Sequence, residues 1–207
     1  MNREARRLLR DRSGVAAVEF ALLAPFLILL FLGFAETYLY ARSVAAMERT
    51  AFSLADLVAR RSLVCQAKSS SDPNSVNTYL TAAKLIAEPL SLETNGMVIL
   101  TAAVKTGAAG AVVAWQVTSG YTLKGVSSAV GKPGGPAALA GGITLGADGD
   151  TAIVAEVFYL NDWYARVRHF WPSAPVTGVL SRAGYYRARI GSLAPLYPAA
   201  PNANCPP

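Results

Sequence analysis

The chain has 207 residues, 53% of them hydrophobic, and a formal net charge of +6. That length leaves room for one membrane helix and one compact domain. The charge is no footprint for nucleic acid: in residues 1–14 five arginines against Glu4 and Asp11 leave +3, and the basic residues beyond Arg61 are scattered among seven acidic ones.

The chain opens with an arginine-rich leader, MNREARRLLRDR. From Ser13 to Ala35 the only charged side chain is Glu19. As a helix these 23 residues span about 34 Å, enough to cross a bilayer core of about 30 Å. A soluble helix of this length is rarely apolar on every face. A cleaved secretory signal is the rival reading, but it carries a shorter apolar core followed by a small-residue cleavage site. Here the alanines beyond Phe34 fall inside a continuing helical pattern. The basic leader places the N-terminus in the cytoplasm and the rest of the chain outside.

Glu19 is the informative residue, because an ionised carboxylate in hydrocarbon costs several kcal/mol. Two readings are open. Lying seven residues after Arg12, it can stay wet among the cytoplasmic headgroups. Alternatively, cutting after Gly14 makes Val15 the new N-terminus and Glu19 the fifth residue. The carboxylate then meets the new α-amino group of a neighbouring subunit, a pair that sets registry more than it stabilises.

The basic leader, Gly14, Glu19 and the apolar helix resemble the processing segment of type IV pilins and pseudopilins. More closely, GVAAVEFALLAPFLILLFLGFAE resembles the start of TadE-like proteins of tight-adherence (Tad/Flp) pilus systems, at Gly14, Ala17, Glu19, Phe20, Ala21, Leu22, Pro25, Gly33 and Glu36. The resemblance is specific from Arg12 to about Arg42. It implies a minor pilin or pseudopilin cut between Gly14 and Val15 by a prepilin peptidase. The implied partners are other major and minor pilins, the inner-membrane assembly platform and the lipid bilayer. The implied location is the bacterial inner membrane, single-pass, with a periplasmic C-terminal domain and extraction into the pilus.

Pro25 lacks a backbone donor and bends a helix at the preceding turn; the bend either has no role or fits the helix against neighbouring helices. Gly33 offers a point of close helix approach. Glu36 marks the outer headgroup boundary, with Tyr38 and Tyr40 as interfacial anchors. The helix then continues: Val44, Met47, Ala51, Leu54 and Val58 form an apolar stripe, with Arg42, Arg49 and Asp56 on another side. A single helix from Val15 to Arg60 measures about 69 Å. The stripe is expected to pack on the chain's own outer domain, with a partner helix as the alternative. The expected segments are a leader at 1–14, a membrane helix at 15–36, its extension at 37–61 and an outer domain at 62–207.

Cys65 and Cys205 are the only cysteines. Outside the cytoplasm an even pair reads as a disulfide, here tying the C-terminal tail to the base of the helix. The polar KSSSDPNS (68–75) is a turn. Val76–Leu90 is a second helix ended by Pro89, and Ser91–Gly96 a connection. Strands are expected at Gly96–Thr106 and Ala111–Ser119, joined as a hairpin around Gly110, and at Thr151–Leu160. Asn161-Asp162 is a turn, Trp163–Phe170 an irregular strand or partial helix, and Pro172 and Pro175 break the chain. Tyr185–Ile190 is the last strand, with Arg187 and Arg189 on one face. The expected fold class is α+β: a long pilin-like transmembrane helix carrying a small domain built on an antiparallel sheet.

No catalytic constellation emerges. Two cysteines and His169 make neither a zinc site nor a Cys–His pair. GKPGGP (131–136) lacks the phosphate-loop pattern and reads as a surface loop within the Gly/Ala/Pro-rich 127–149. ADGD (147–150) is too short for a calcium loop. Glu156, Asp148 and Asp150 specify no acid–base pair. No enzyme activity, cofactor, metal or nucleic-acid partner is expected. Beside the pilin reading stand a permanently anchored pilus assembly protein that is not incorporated and a generic anchored binding domain.

Overall fold

The first element is α1, Val15–Ala59, which runs without interruption through Pro25. The computed structural model describes residues 14–66, 72–107, 110–120, 123, 125–140, 143–161 and 178–198. The chain divides into two compact units, Met1–Ala41 and Arg42–Pro207. In the first, the described residues are the opening stretch of α1, long and apolar enough to cross a membrane. Its large side chains are exposed on every side, from Val15 through Phe20, Leu27 and Phe31 to Phe34.

The second unit is an α+β domain. The elements after α1 are β1 (Val64–Cys65), α2 (Val76–Ala87), α3 (Leu92–Asn95), β2 (Gly96–Lys105), β3 (Ala111–Gly120), β4 (Thr151–Asn161), β5 (Gly178–Arg187) and β6 (Leu196–Tyr197). β2 to β5 form an antiparallel sheet in the order β3-β2-β4-β5. The expected hairpin joins β2 to β3, with Gly110 at φ +83° and its carbonyl accepting the Thr106 N–H at 3.0 Å. β1 and β6 pair in parallel, Cys65 opposite Tyr197.

Alternation along each strand assigns the two faces, and a register shift that leaves Ala114 unpaired between Val113 and Trp115 puts those two β3 residues on opposite faces. On one face Val98, Leu100 and Ala102 of β2, Ile153, Ala155, Val157 and Tyr159 of β4 and Trp115 of β3 join one core. That core is completed by Met47, Ala51, Leu54 and Val58 of α1 and by Val76, Tyr79, Leu80, Ala83 and Ala87 of α2. The apolar stripe of α1 is therefore buried against the chain's own sheet, although Val44 is only half-buried. On the opposite face, Met97, Ile99 and Phe158 pack with Leu123, and Val113 and Val154 pack with Val130. The central strands are covered on both sides, which explains their near-continuous apolar runs.

Local signals account for the ends of α2. The Ser75 side chain caps it by accepting the Asn77 N–H at 3.2 Å. The helix stops at Ala87, ahead of Pro89 rather than reaching Leu90, and Arg49 of α1 donates to the Ile86 carbonyl at 3.2 Å. The connection after Leu90 contains the single turn α3. Two further boundaries differ from expectation. Asn161 is the last residue of β4, opposite Gly178, rather than a turn. The last long strand is Gly178–Arg187, not Tyr185–Ile190, so Arg189 lies beyond it.

The expected turn residue Asp162, the segment Trp163–Phe170 with His169, Pro172, Pro175, Cys205 and the leader lie outside the described residues.

Candidate functional site

Gly14 is a turn residue, and its carbonyl accepts the first bond of α1, from the Val18 N–H at 3.1 Å. It therefore stands at the N-cap, and Val15 is the first helical residue. The Gly14–Val15 peptide lies at the junction of turn and helix. Gly14 is exposed, and a Cβ built on it meets nothing within 4 Å. Nothing among the described residues demands a glycine there.

Glu19 is exposed one turn further along. Helical side chains four residues apart share a face, each tilted toward the N-terminus, so Glu19 stands on the same side as Val15. Pro25 stands within the continuous helix. Gly33 is exposed, a Cβ there meets nothing within 4 Å, and its carbonyl accepts the Thr37 hydroxyl at 2.8 Å. Among the described residues no packing contact explains either Gly14 or Gly33. Glu36 is buried, and its Oε2 has no hydrogen-bond partner among the described residues.

At its other end α1 is anchored. Asp56 accepts from Arg60 at 2.5 Å and from Arg189 at 2.7 Å. The Arg60 hydrogen bond holds its carboxyl below the usual range. The Arg189 backbone N–H donates to the Ala59 carbonyl at 2.9 Å, satisfying an orphan acceptor of the helix end. Phe52 meets Tyr186 edge to face at 6.5 Å. Cys65 is disulfide-bonded and fully buried just beyond this end.

Two structural residues are invisible to the sequence motifs. Gly184 of β5 lies so close to α1 that a Cβ there would stand 2.5 Å from the carbonyl carbon and oxygen of Ala51. Trp115 donates its indole N–H to the Leu193 carbonyl at 2.7 Å, which closes the helix-side core. The Gly184–Ala51 approach joins residues far apart in the chain, and only the small size of both is visible in sequence.

Among the described residues no group of three or more His, Cys, Asp or Glu side chains is placed to hold a metal. Asp150 is used structurally, accepting from Arg187 and from the Gly146 and Ala147 N–H groups. Tyr79 has its phenol pushed up by burial, and it donates to the Pro73 carbonyl at 2.5 Å.

Residues 14–55 match the family described as TadE-like protein. Over that stretch the chain is similar to TadE-like proteins. The match opens on Gly14 and closes within α1, so the sheet domain lies outside it. No curated protein matches the chain, and no solved structure does.

Proposed function

We propose that this chain is a minor pilin or pseudopilin of a Tad/Flp pilus, a structural subunit needed to start or assemble the fibre. The observation that carries the reading is the TadE-like match over residues 14–55, which opens at Gly14, five residues ahead of the lone carboxylate Glu19 of the apolar stretch. In this reading the leader stays in the cytoplasm, α1 crosses the inner membrane, and the sheet domain is periplasmic until the subunit is extracted. A prepilin peptidase cuts the Gly14–Val15 bond. Val15 then carries a free α-amino group that pairs with Glu19 of a neighbouring pilin, and the assembly platform in the membrane is the other partner. This function asks of the chain only anchorage, registry and a folded outer domain, not catalysis.

Mass spectrometry of protein purified from membranes tests this. The expected N-terminus is Val15, and Gly14→Ala is expected to leave full-length precursor, because a side chain then occupies the scissile position. An intact leader in the mature wild-type protein overturns the pilin reading and favours a permanently anchored assembly protein. Normal processing of Gly14→Ala overturns the assigned cleavage position.

A further inference from the structure

The Gly/Ala/Pro-rich segment expected as a plain surface loop does structural work at the edge of the sheet. β3 is an edge strand in the order β3-β2-β4-β5. Edge strands present rows of open N–H and C=O groups that template pairing with another chain. Along part of β3 those groups are occupied. Val113 donates its N–H to Gly135 at 2.9 Å and accepts from Gly134 at 2.8 Å, and Ala137 donates to Ala111 at 2.8 Å. Val112 and Pro136 form an antiparallel bridge. Pro136 has no N–H and cannot pass the ladder on.

Several contacts hold this segment down, among them Gln116 Nε2 donating to the Gly131 carbonyl at 3.3 Å and the Ala138 N–H donating to the Val130 carbonyl at 2.7 Å. Val130 is fully buried in a cluster with Val113 and Val154. Gly131, at φ +130°, passes so close to the Pro136 carbonyl that a Cβ would stand 2.6 Å from it. Glu156, on the back face of β4 and only 3% exposed, accepts the Ser128 hydroxyl and the Ala129 N–H, the latter at 2.8 Å. The Ser128 oxygen in turn accepts the Val130 N–H at 3.1 Å. Glu156 thus acts on the strap through the residues directly before the Val130 plug.

We infer that residues 128–137 form a strap that guards the edge of β3 against antiparallel pairing with β3 of a second copy of this chain, and that Glu156 is its lock. Strap and β3 already form the geometry of such a pair, and release would free the N–H and C=O of Val113 together with the apolar surface beneath Val130. The guard rests on the proposed function in one respect, since copies anchored in one membrane would meet at high local density.

The test uses the full chain, one copy per lipid nanodisc, as wild type, Glu156→Ala and Ala137→Pro, the last of which removes the Ala137 donor. Amide hydrogen exchange by mass spectrometry reads strap, β3, β2 and β4 separately, and analytical ultracentrifugation reads association. Both variants are expected to exchange about tenfold faster or more over 128–137 and the start of β3 while β2 and β4 stay protected. Both are also expected to form dimers in which protection at Val113 returns as concentration rises. Unchanged strap exchange in Glu156→Ala overturns the lock. A released strap on protein that stays monomeric, or dimers without renewed protection at Val113, overturns the guard. Should Glu156→Ala lose protection throughout the sheet, the lock as a local device is overturned and Ala137→Pro decides the guard.

Discussion

Gly184 is a position where one added carbon does harm for a known reason. A Cβ at residue 184 would lie 2.5 Å from the Ala51 carbonyl carbon and oxygen and 2.6 Å from the Phe52 nitrogen. That is about 1 Å inside ordinary contact, and the obstructing atoms are helix backbone, which cannot swing aside as a side-chain tip can. Either α1 lifts from the sheet or β5 moves outward, and both loosen the core around Ala51 and Leu54. Overpacking of this kind costs about 1–3 kcal/mol, a roughly 5- to 150-fold loss in the folding equilibrium. Gly178 in the same strand is the control, because a Cβ there meets nothing within 4 Å and its change to alanine should stay within about 0.5 kcal/mol. The assay is urea denaturation of the full chain in detergent, followed by tryptophan fluorescence, to which buried Trp115 contributes. A Gly184→Ala midpoint indistinguishable from that of Gly178→Ala would refute the close approach of helix and strand.

Three further outcomes are expected. The Asp150 carboxyl is held at about 2, below its ordinary 3.8, chiefly by the Arg187 hydrogen bond and then by the Ala147 N–H. Its folded value is depressed, so its stabilisation is complete above 3.8 and is lost as pH falls through about 2; Asp150→Asn should flatten the acid limb of a stability–pH curve in that window, and an unchanged limb counts against it. Reduction of the disulfide at Cys65 should lower outer-domain stability by about 2–5 kcal/mol, and identical thermal unfolding with and without reductant would remove that role. Glu19→Ala should still be cut after Gly14 but enter pili less well, since losing one partner of a desolvated charge pair costs about 2–5 kcal/mol; undiminished subunit in sheared pili speaks against registry.

What the sequence displays and what it conceals follow from how local the causes are. α1 ends at Ala59, one residue from the expected Arg60, because its stripe is a local pattern. β2, β3 and β4 lie within a residue of their expected bounds, since β-branched and aromatic runs flanked by glycine announce them. β5 was legible only at its end. GVLSRAG carries two glycines, a serine and an arginine, and becomes a strand by pairing residue for residue with β4. The two-residue β1 and β6 come from non-local pairing, β1 with β6 and Cys65 also with Ser75. The strap was concealed by its composition, because glycine and proline announce a turn but not what the turn covers. Glu19 stands out for the opposite reason: a carboxylate in an apolar run is anomalous without reference to any fold, whereas Gly14 is singled out only by its spacing to Glu19 and by family resemblance.

The burial pattern of α1 also narrows how such a subunit can meet its neighbours. Met47, Ala51, Leu54 and Val58 are fully buried in the chain's own core, so the stripe that could equally have seated a partner helix is already occupied. Releasing it would uncover four apolar side chains, each worth about 1–3 kcal/mol on transfer to water, and would break the Asp56–Arg189 contact. In the proposed fibre, contacts made by α1 therefore come from the stretch ahead of Arg42, where apolar side chains point in every direction, and from the exposed side that carries Arg42 and Arg49. An all-round apolar surface does not choose a rotation about the helix axis, since every face buries a similar area. A single charge does choose one, because it is costly in hydrocarbon unless paired. Glu19 is the one charged group between Val15 and Ala35, which makes it the group able to fix how neighbouring helices are turned toward each other.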